Sequence, residues 1–226
     1  MLTAIIVAAG SSRRMGFDKL SASIAGKTVI AHTVDAFAAS ASVREIIVVV
    51  HKDRRKEFET ILGRAEKVRE IVVGGEHRQD SVQAGLQRLD DLADYVAVHD
   101  GARPLVRAEE IDRVYEHARV HGAAALAEPV SDTLKRADDN LSVIESLDRN
   151  HVYAMQTPQI FERRMLEQAY REILQTGRRI TDEVSAIEYL GRPVVLVPGN
   201  DFNFKITYER DLRLAESILQ ARAAHR

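Results

Sequence analysis

The residues most able to do chemistry open the chain. Gly10-Ser11-Ser12 is followed by Arg13, Arg14 and Lys19, three cations within ten positions of a small-residue loop. A loop of this kind exposes backbone N–H groups, and with fixed positive charge beside them it suits a polyphosphate. Two familiar phosphate loops are excluded by spacing. The dinucleotide fingerprint G-x-G-x-x-G needs a second glycine where Ser12 stands. The Walker-type loop needs a glycine five residues before Gly26-Lys27-Thr28, and Ser21 is there instead.

Four further polar clusters follow. In Gly74-Gly75-Glu76-His77-Arg78-Gln79-Asp80-Ser81, two glycines let a flat base lie close to the backbone. Glu76, Ser81 and the carbonyls offer the donors and acceptors that a cytosine edge requires. In Val98-His99-Asp100-Gly101-Ala102-Arg103-Pro104, one carboxylate directly after an apolar run suits Mg²⁺, which takes one or two carboxylates and leaves other positions to water and phosphate. The alternative is a turn cap or a pair with Arg103. Ser131, Thr133, Arg149 and Thr157 supply hydroxyls and a forked cation for a second phosphate. Asn203-Phe204-Lys205-Ile206-Thr207 sets one lysine among apolar neighbours. It either snorkels or reaches the phosphate centre. The eight histidines lack metal spacing and are assigned no role.

These clusters must be held by elements, and the elements are legible. Ala4 to Ala9 is an unbroken apolar run, the mark of a strand buried on both faces. Ile30, Thr33, Val34 and Phe37 recur at helical spacing, and Glu45 to Val50 is a second strand. The alternation continues through Phe58–Leu62, Glu70–Val73, Val82/Leu86/Leu89, Tyr95–His99, Ile111/Val114/Tyr115/Ala118 and Ala123–Ala127. That pattern predicts an α/β fold with a doubly wound, mostly parallel sheet. It lapses over 133–161, where two extended segments flank Ala137-Asp138-Asp139-Asn140; this reads as a protruding β-hairpin arm. An arm that size rarely holds itself, so it is expected to pack on a second copy of the chain. Leu166, Ala169, Tyr170, Ile173 and Leu174 resume helical spacing, Thr181 stands where it can cap a helix, Val194–Val197 is a last strand and Leu212/Ala215/Ile218/Leu219 a last helix. One domain over 1–226 is expected.

Composition narrows the function classes. Thirty-two Lys and Arg against 34 Asp and Glu give a net charge of −2, which disfavours a general nucleic-acid or membrane partner. The absence of cysteine excludes thiolate catalysis and Cys-based zinc sites. The apolar start is too short for a secretory signal and its arginines follow rather than precede it. A cytoplasmic protein is expected.

The opening loop, with Ala8-Ala9-Gly10, Arg14-Met15-Gly16 and Lys19, resembles the signature loop of sugar-phosphate nucleotidyltransferases. Taken with Gly74-Gly75, Arg78, Asp80-Ser81, His99-Asp100, Ala102-Arg103-Pro104, Pro129-Val130, Asp132-Thr133, Lys135-Arg136, Asp148-Arg149, Thr157-Pro158-Gln159, Thr181-Asp182-Glu183 and Lys205-Ile206-Thr207, the whole chain resembles the 2-C-methyl-D-erythritol 4-phosphate cytidylyltransferases. The resemblance implies a Rossmann-like nucleotidyltransferase fold, a homodimer with swapped arms, and transfer of CMP from CTP to a polyol phosphate. It implies Arg14, Lys19 and Lys205 around the triphosphate, with Ala8, Ala9 and Gly10 in the loop beneath. It places Gly74, Gly75, Glu76 and Ser81 around cytosine, and Asp100 on Mg²⁺ or another divalent cation. Arg149, Thr133 and Thr157 would surround the methylerythritol phosphate, with Arg149 and Thr157 supplied across the dimer. Two residues depart from the family pattern. Asp18 stands where proline is common, so the loop is expected to aim Lys19 less firmly, and Glu76 replaces an aspartate.

That chemistry agrees with the residue types. A phosphate monoester whose second pKa is about 6 is mostly dianionic at neutral pH and needs no general base. Cations instead offset the approach of two anions and stabilise charge on the non-bridging and leaving oxygens. The alternatives are a ribitol-5-phosphate cytidylyltransferase, and a nucleotide-binding regulator that has lost catalysis.

Overall fold

The structure is a computed structural model and describes residues 1–10, 18–199 and 202–224. In chain order its elements are β1 (Leu2–Ala8), β2 (Ser23–Ile24), β3 (Lys27–Thr28), α1 (Val29–Ala39), β4 (Val43–Val50), α2 (Arg55–Leu62), β5 (Val68–Val73), α3 (Arg78–Leu86), β6 (Tyr95–Asp100), α4 (Ala108–His121), β7 (Ala123–Pro129), β8 (Leu134–Ala137), β9 (Val143–Leu147), β10 (Tyr153–Glu162), α5 (Arg163–Thr176), α6 (Glu183–Tyr189), β11 (Val195–Pro198) and α7 (Glu209–Ala224). Among the described residues seven strands form one sheet in the order β11-β7-β10-β6-β1-β4-β5.

β1 lies at the middle, parallel to β4 through Ile5↔Ile47 and to β6 through Ile5↔Val98. Its side chains alternate between two cores, as the strand period of two requires. Ala4, Ile6 and Ala8 join Val34, Phe37, Ile111, Val114 and Ala215 on one face. Ile5 joins Val82, Leu86, Leu166, Tyr170, Ile173 and Ile187 on the other. Helices therefore cover both faces, which is the doubly wound, mostly parallel arrangement expected.

The sheet departs from all-parallel at one strand, and there the expected arm is too long. The protruding hairpin is only β8 paired with β9, from Leu134↔Leu147 to Ala137↔Val143. Residues 153–162 are instead a central strand, antiparallel to both β6 and β7. Gln156-Thr157-Pro158-Gln159 reads as a polar break, yet Gln156, Thr157 and Gln159 are all buried. Their polar groups are satisfied by partners distant in sequence, which allows a polar segment to lie in a core. Between Met155 and Gln159 the pairing with β7 shifts register. An irregularity of this kind re-aims side chains beside a site.

Candidate active site

The carboxyl ends of the parallel strands and the amino-terminal half of β10 meet at one edge of the sheet, where α/β folds usually bind ligands. Asp100 ends β6 there. Its side chain is largely buried, with Arg78 Nε at 3.2 Å from Oδ1, Lys205 Nζ at 3.0 Å from Oδ2, and Arg103 Nε at 3.6 Å from Oδ2. Burial alone would raise this carboxyl; the guanidinium of Arg78, then Lys205 and Arg103, hold it well below the usual carboxylate range. A cavity of about 410 Å³ opens over these residues, lined also by Gln156, Thr157, Thr181 and Ser185.

Each group is held by a different part of the chain. Arg78 begins α3, and its Nη1 donates to both oxygens of Glu183, at 2.7 and 2.9 Å. Glu183 is fully buried and also accepts from the Tyr170 hydroxyl at 2.9 Å. Gln159 ties this corner to β10. Its Oε1 accepts from the N–H groups of Glu183 and Val184, and its Nε2 donates to Asp182. Asp182, rather than the expected Thr181, caps α6 by accepting from Ser185 N. Arg103 donates to the Asn203 carbonyl at 2.8 Å, and Asn203 Nδ2 donates to Gln156 Oε1 and the Thr157 carbonyl. Ile206 N donates to the Ala102 carbonyl, so the segment carrying Lys205 runs beside the one carrying Asp100.

A chain of hydrogen bonds fixes the backbone of Asp100. Asp100 N–H donates to Thr157 Oγ1 at 3.1 Å, Thr157 Oγ1 lies 3.0 Å from His99 Nδ1, and His99 Nε2 lies 3.2 Å from the Arg103 carbonyl. A carbonyl can only accept, so Nε2 carries the proton and Nδ1 accepts from the Thr157 hydroxyl. Burial pushes the imidazole down to about 3, so it stays neutral.

The expected site residues divide into three groups. Asp100, Lys205 and Thr157 are brought together, and Lys19 lies close by, its Nζ donating to the Ile206 carbonyl at 2.6 Å. Asp18 does not loosen it as expected. Its carboxylate pairs with Arg54 and accepts from Leu20 N at 3.1 Å, so the residue before Lys19 is tied down. Ala8, Ala9 and Gly10 end β1 against the loop of Gly74 and Gly75. A Cβ on Gly74 would come within 2.5 Å of Ser81 Oγ and 2.9 Å of Ala9 Cβ, and one on Gly75 within 2.3 Å of Asp80 Cβ. Glycine is therefore required first by close packing onto α3, while Gly75 and Glu76 remain exposed. Ser81 is buried, and its hydroxyl donates to the His77 carbonyl rather than standing free for a base.

A second group is not brought in. Thr133 and Arg149 are exposed, outside the residues lining the cavity, and Arg149 donates to the Ser131 carbonyl. Thr157 corrects the expectation that it is supplied across a dimer, because it lies in β10 against Asp100 of its own chain. Arg14 lies outside the described residues. The third group, Arg78, Arg103, Gln159 and Glu183, was not singled out for the site. Its only sequence signal was membership of the motifs quoted for the family resemblance.

A lone carboxylate ringed by cations at the carboxyl edge of a doubly wound sheet, beside a glycine loop, defines a nucleotidyltransferase type of site. The family model for 2-C-methyl-D-erythritol 4-phosphate cytidylyltransferase matches residues 2–221. The chain belongs to that family. It is 41% identical to the enzyme so named from Pelotomaculum thermopropionicum, over 98% of this chain and 95% of that one. It is 36% identical to the chloroplastic enzyme of Oryza sativa subsp. japonica, over 96% of this chain and 74% of that one. Among solved structures, the 4-diphosphocytidyl-2C-methyl-D-erythritol synthase from Anaerococcus prevotii superposes with a TM-score of 0.86 at 31% identity, covering 97% of this chain and 98% of that one.

Proposed function

We propose that this chain transfers CMP from CTP to 2-C-methyl-D-erythritol 4-phosphate, releasing pyrophosphate. The observation that carries the reading is the clustering of Arg78, Arg103 and Lys205 around Asp100, with Lys19 on the neighbouring Ile206 carbonyl. The reaction needs little from the protein except position and charge. A phosphate oxygen of the acceptor attacks the α-phosphorus of CTP; that P–O bond forms as the bond to the bridging oxygen of the β-phosphate breaks. Pyrophosphate leaves with the electron pair. The acceptor phosphate is already mostly dianionic, so no side chain has to take a proton. Lys19, Arg14 and Lys205 serve the triphosphate. Ala8, Ala9, Gly10, Gly74, Gly75 and Glu76 serve the nucleoside, with Ser81 packing beneath the glycines.

Mg²⁺ fits this donor set. Asp100 offers one carboxylate, and among the described residues no group of three His, Cys, Asp or Glu side chains stands ready to enclose an ion. An ion sharing its ligands between Asp100, water and phosphate needs no such enclosure. Lys205, which covers Oδ2, is 41% exposed and free to swing aside. When bound, the ion would neutralise charge on the phosphates.

The hairpin β8–β9 supports a homodimer. Leu141, Val143 and Ile144 on it are exposed in the single chain, and a two-stranded hairpin is marginal alone. A second copy would cover these side chains and bring Thr133 and Arg149 to the neighbour's acceptor. Among the described residues no helix is long and apolar enough to cross a membrane; the net charge and the absence of cysteine support a cytoplasmic enzyme. The test is pyrophosphate release from CTP and Mg²⁺ with methylerythritol 4-phosphate and ribitol 5-phosphate in parallel. Preference for ribitol 5-phosphate would replace this reading with the alternative, and release with neither would reject both.

A further inference from the structure

Glu183 has no part in the reaction as written, yet it is the most deeply buried carboxylate beside the site. It is surrounded by donors: Arg78 Nη1 on both oxygens and the Tyr170 hydroxyl on Oε1. Its own N–H is anchored by Gln159. Burial tends to lower Arg78, but Glu183 and then Asp100 raise it, so the guanidinium stays charged. Arg78 is thus shared between two carboxylates, Nη1 on Glu183 and Nε on Asp100.

We propose that Glu183 is a positioning residue that holds Arg78 so that it engages only Oδ1 of Asp100, leaving Oδ2 turned toward the cavity for a divalent cation. A guanidinium and a carboxylate left to themselves prefer two parallel hydrogen bonds, which would occupy both oxygens. Glu183 prevents that by engaging Nη1. Oδ2 is met instead by Lys205, a half-exposed side chain on the rim that can be displaced. The protein therefore commits one oxygen of its only carboxylate here to the scaffold and presents the other.

This rests on the assignment of Asp100 to a divalent cation given above. The test compares wild type with Glu183→Gln, which keeps size and polarity but removes the charge that restrains Arg78. Mn²⁺ binding to the CTP-loaded enzyme, with no acceptor present, is measured by electron paramagnetic resonance. Mg²⁺ dependence of turnover is measured beside it. The expected result is Mn²⁺ affinity weaker by about fivefold or more, half-saturating Mg²⁺ raised in proportion, and much of the lost turnover recovered at high Mg²⁺. A merely structural role would not be rescued by the ion. Glu45→Gln is the matched control. Glu45 is also a buried carboxylate, paired with Arg44 at 3.0 Å and Arg69 at 3.4 Å, but at the start of β4 on the opposite edge of the sheet. It should lose stability without moving Mn²⁺ affinity. Should Glu183→Gln fail to fold, Glu183→Asp keeps the charge on a shorter stem and should weaken Mn²⁺ by a smaller factor. The proposal is overturned if the folded Glu183 variant binds Mn²⁺ like wild type, or if Glu45→Gln weakens it equally. Failure of wild type to turn over CTP with methylerythritol phosphate would overturn the functional reading instead, and the Mn²⁺ comparison would still stand.

Discussion

Acidification should destabilise this fold through His99, and the size of the effect follows from the hydrogen-bond chain around it. The imidazole is fully buried, packed on Phe37 with ring centroids 4.7 Å apart, and committed to the neutral tautomer by Thr157 and the Arg103 carbonyl. Its pKa falls from an ordinary 6.5 to about 3 on folding. The unfolded chain therefore binds a proton that the folded chain refuses between those two values. The contribution to stability is complete above the unfolded value and is lost as pH falls toward the folded one. At about 1.4 kcal/mol per pH unit, the proton removes roughly 2.7 kcal/mol between pH 7.5 and pH 4.5. Asp100, held low by Arg78 against its burial, acts in the same direction but only below about pH 4, where an unfolded carboxyl takes up its proton. The assay is urea unfolding of wild type and His99→Asn at pH 7.5, 6.0, 5.0 and 4.5. The variant should be less stable at neutral pH, having lost ring packing, but its stability should fall less with acid, so the two curves converge. Parallel curves across this range would refute the argument that a neutral buried His99 sets the slope.

Three shorter predictions concern the reaction. Lys19→Ala should lower kcat by roughly 100-fold or more while CTP still binds, because a cation aimed at developing charge acts mainly in the transition state; near-normal kcat would remove Lys19 from the triphosphate site. CTP should be preferred over UTP, whose O4 would place an acceptor against acceptors arranged for the cytosine amino group; equal kcat/KM for the two would contradict the base site. Mixing Arg149→Ala with Lys19→Ala chains, each nearly inactive, should restore part of the activity once subunits exchange, because one site of each mixed dimer would hold both residues; exchange without recovery would place the site within one subunit or remove Arg149 from it.

The fold was legible wherever periodicity alone decides an element. Ala4–Ala9, Glu45–Val50 and Tyr95–His99 became the three adjacent strands β1, β4 and β6, because an apolar run bounded by turn residues has few other places to go. β10 was not legible. Its middle carries Gln156, Thr157, Pro158 and Gln159, and burying them depends on Glu128, Asn203, Asp182 and the backbone of α6, partners that no local window contains. The site shows the same division. Asp100 and Lys205 stood out as charges at strand ends, whereas Arg78 and Glu183, 105 positions apart, become a pair only after α3 and α6 pack on the same face. Spacing carries no record of such a pair. The glycines were legible for the wrong reason: their lack of Cβ is demanded by α3 before any base arrives.

The antiparallel course of β10 also bears on where the acceptor phosphate can be held. In the pairing of β10 with β6, Gln159 faces Val98, and the N–H of Asp100 reaches Thr157 two residues further along. Tyr153, at the other end of the strand, pairs with Pro129 at the end of β7. Four residues of strand separate Tyr153 from Thr157, a rise of about 13 Å. Arg149 lies beyond Tyr153, in the turn that returns from β9, where it donates to the Ser131 carbonyl. The strand that brings Thr157 to Asp100 therefore carries Arg149 away from it. For one active site to use Thr157, Asp100 and an Arg149 together, that Arg149 has to come from another chain. The exposed apolar tip of the hairpin gives the second chain a surface to hold.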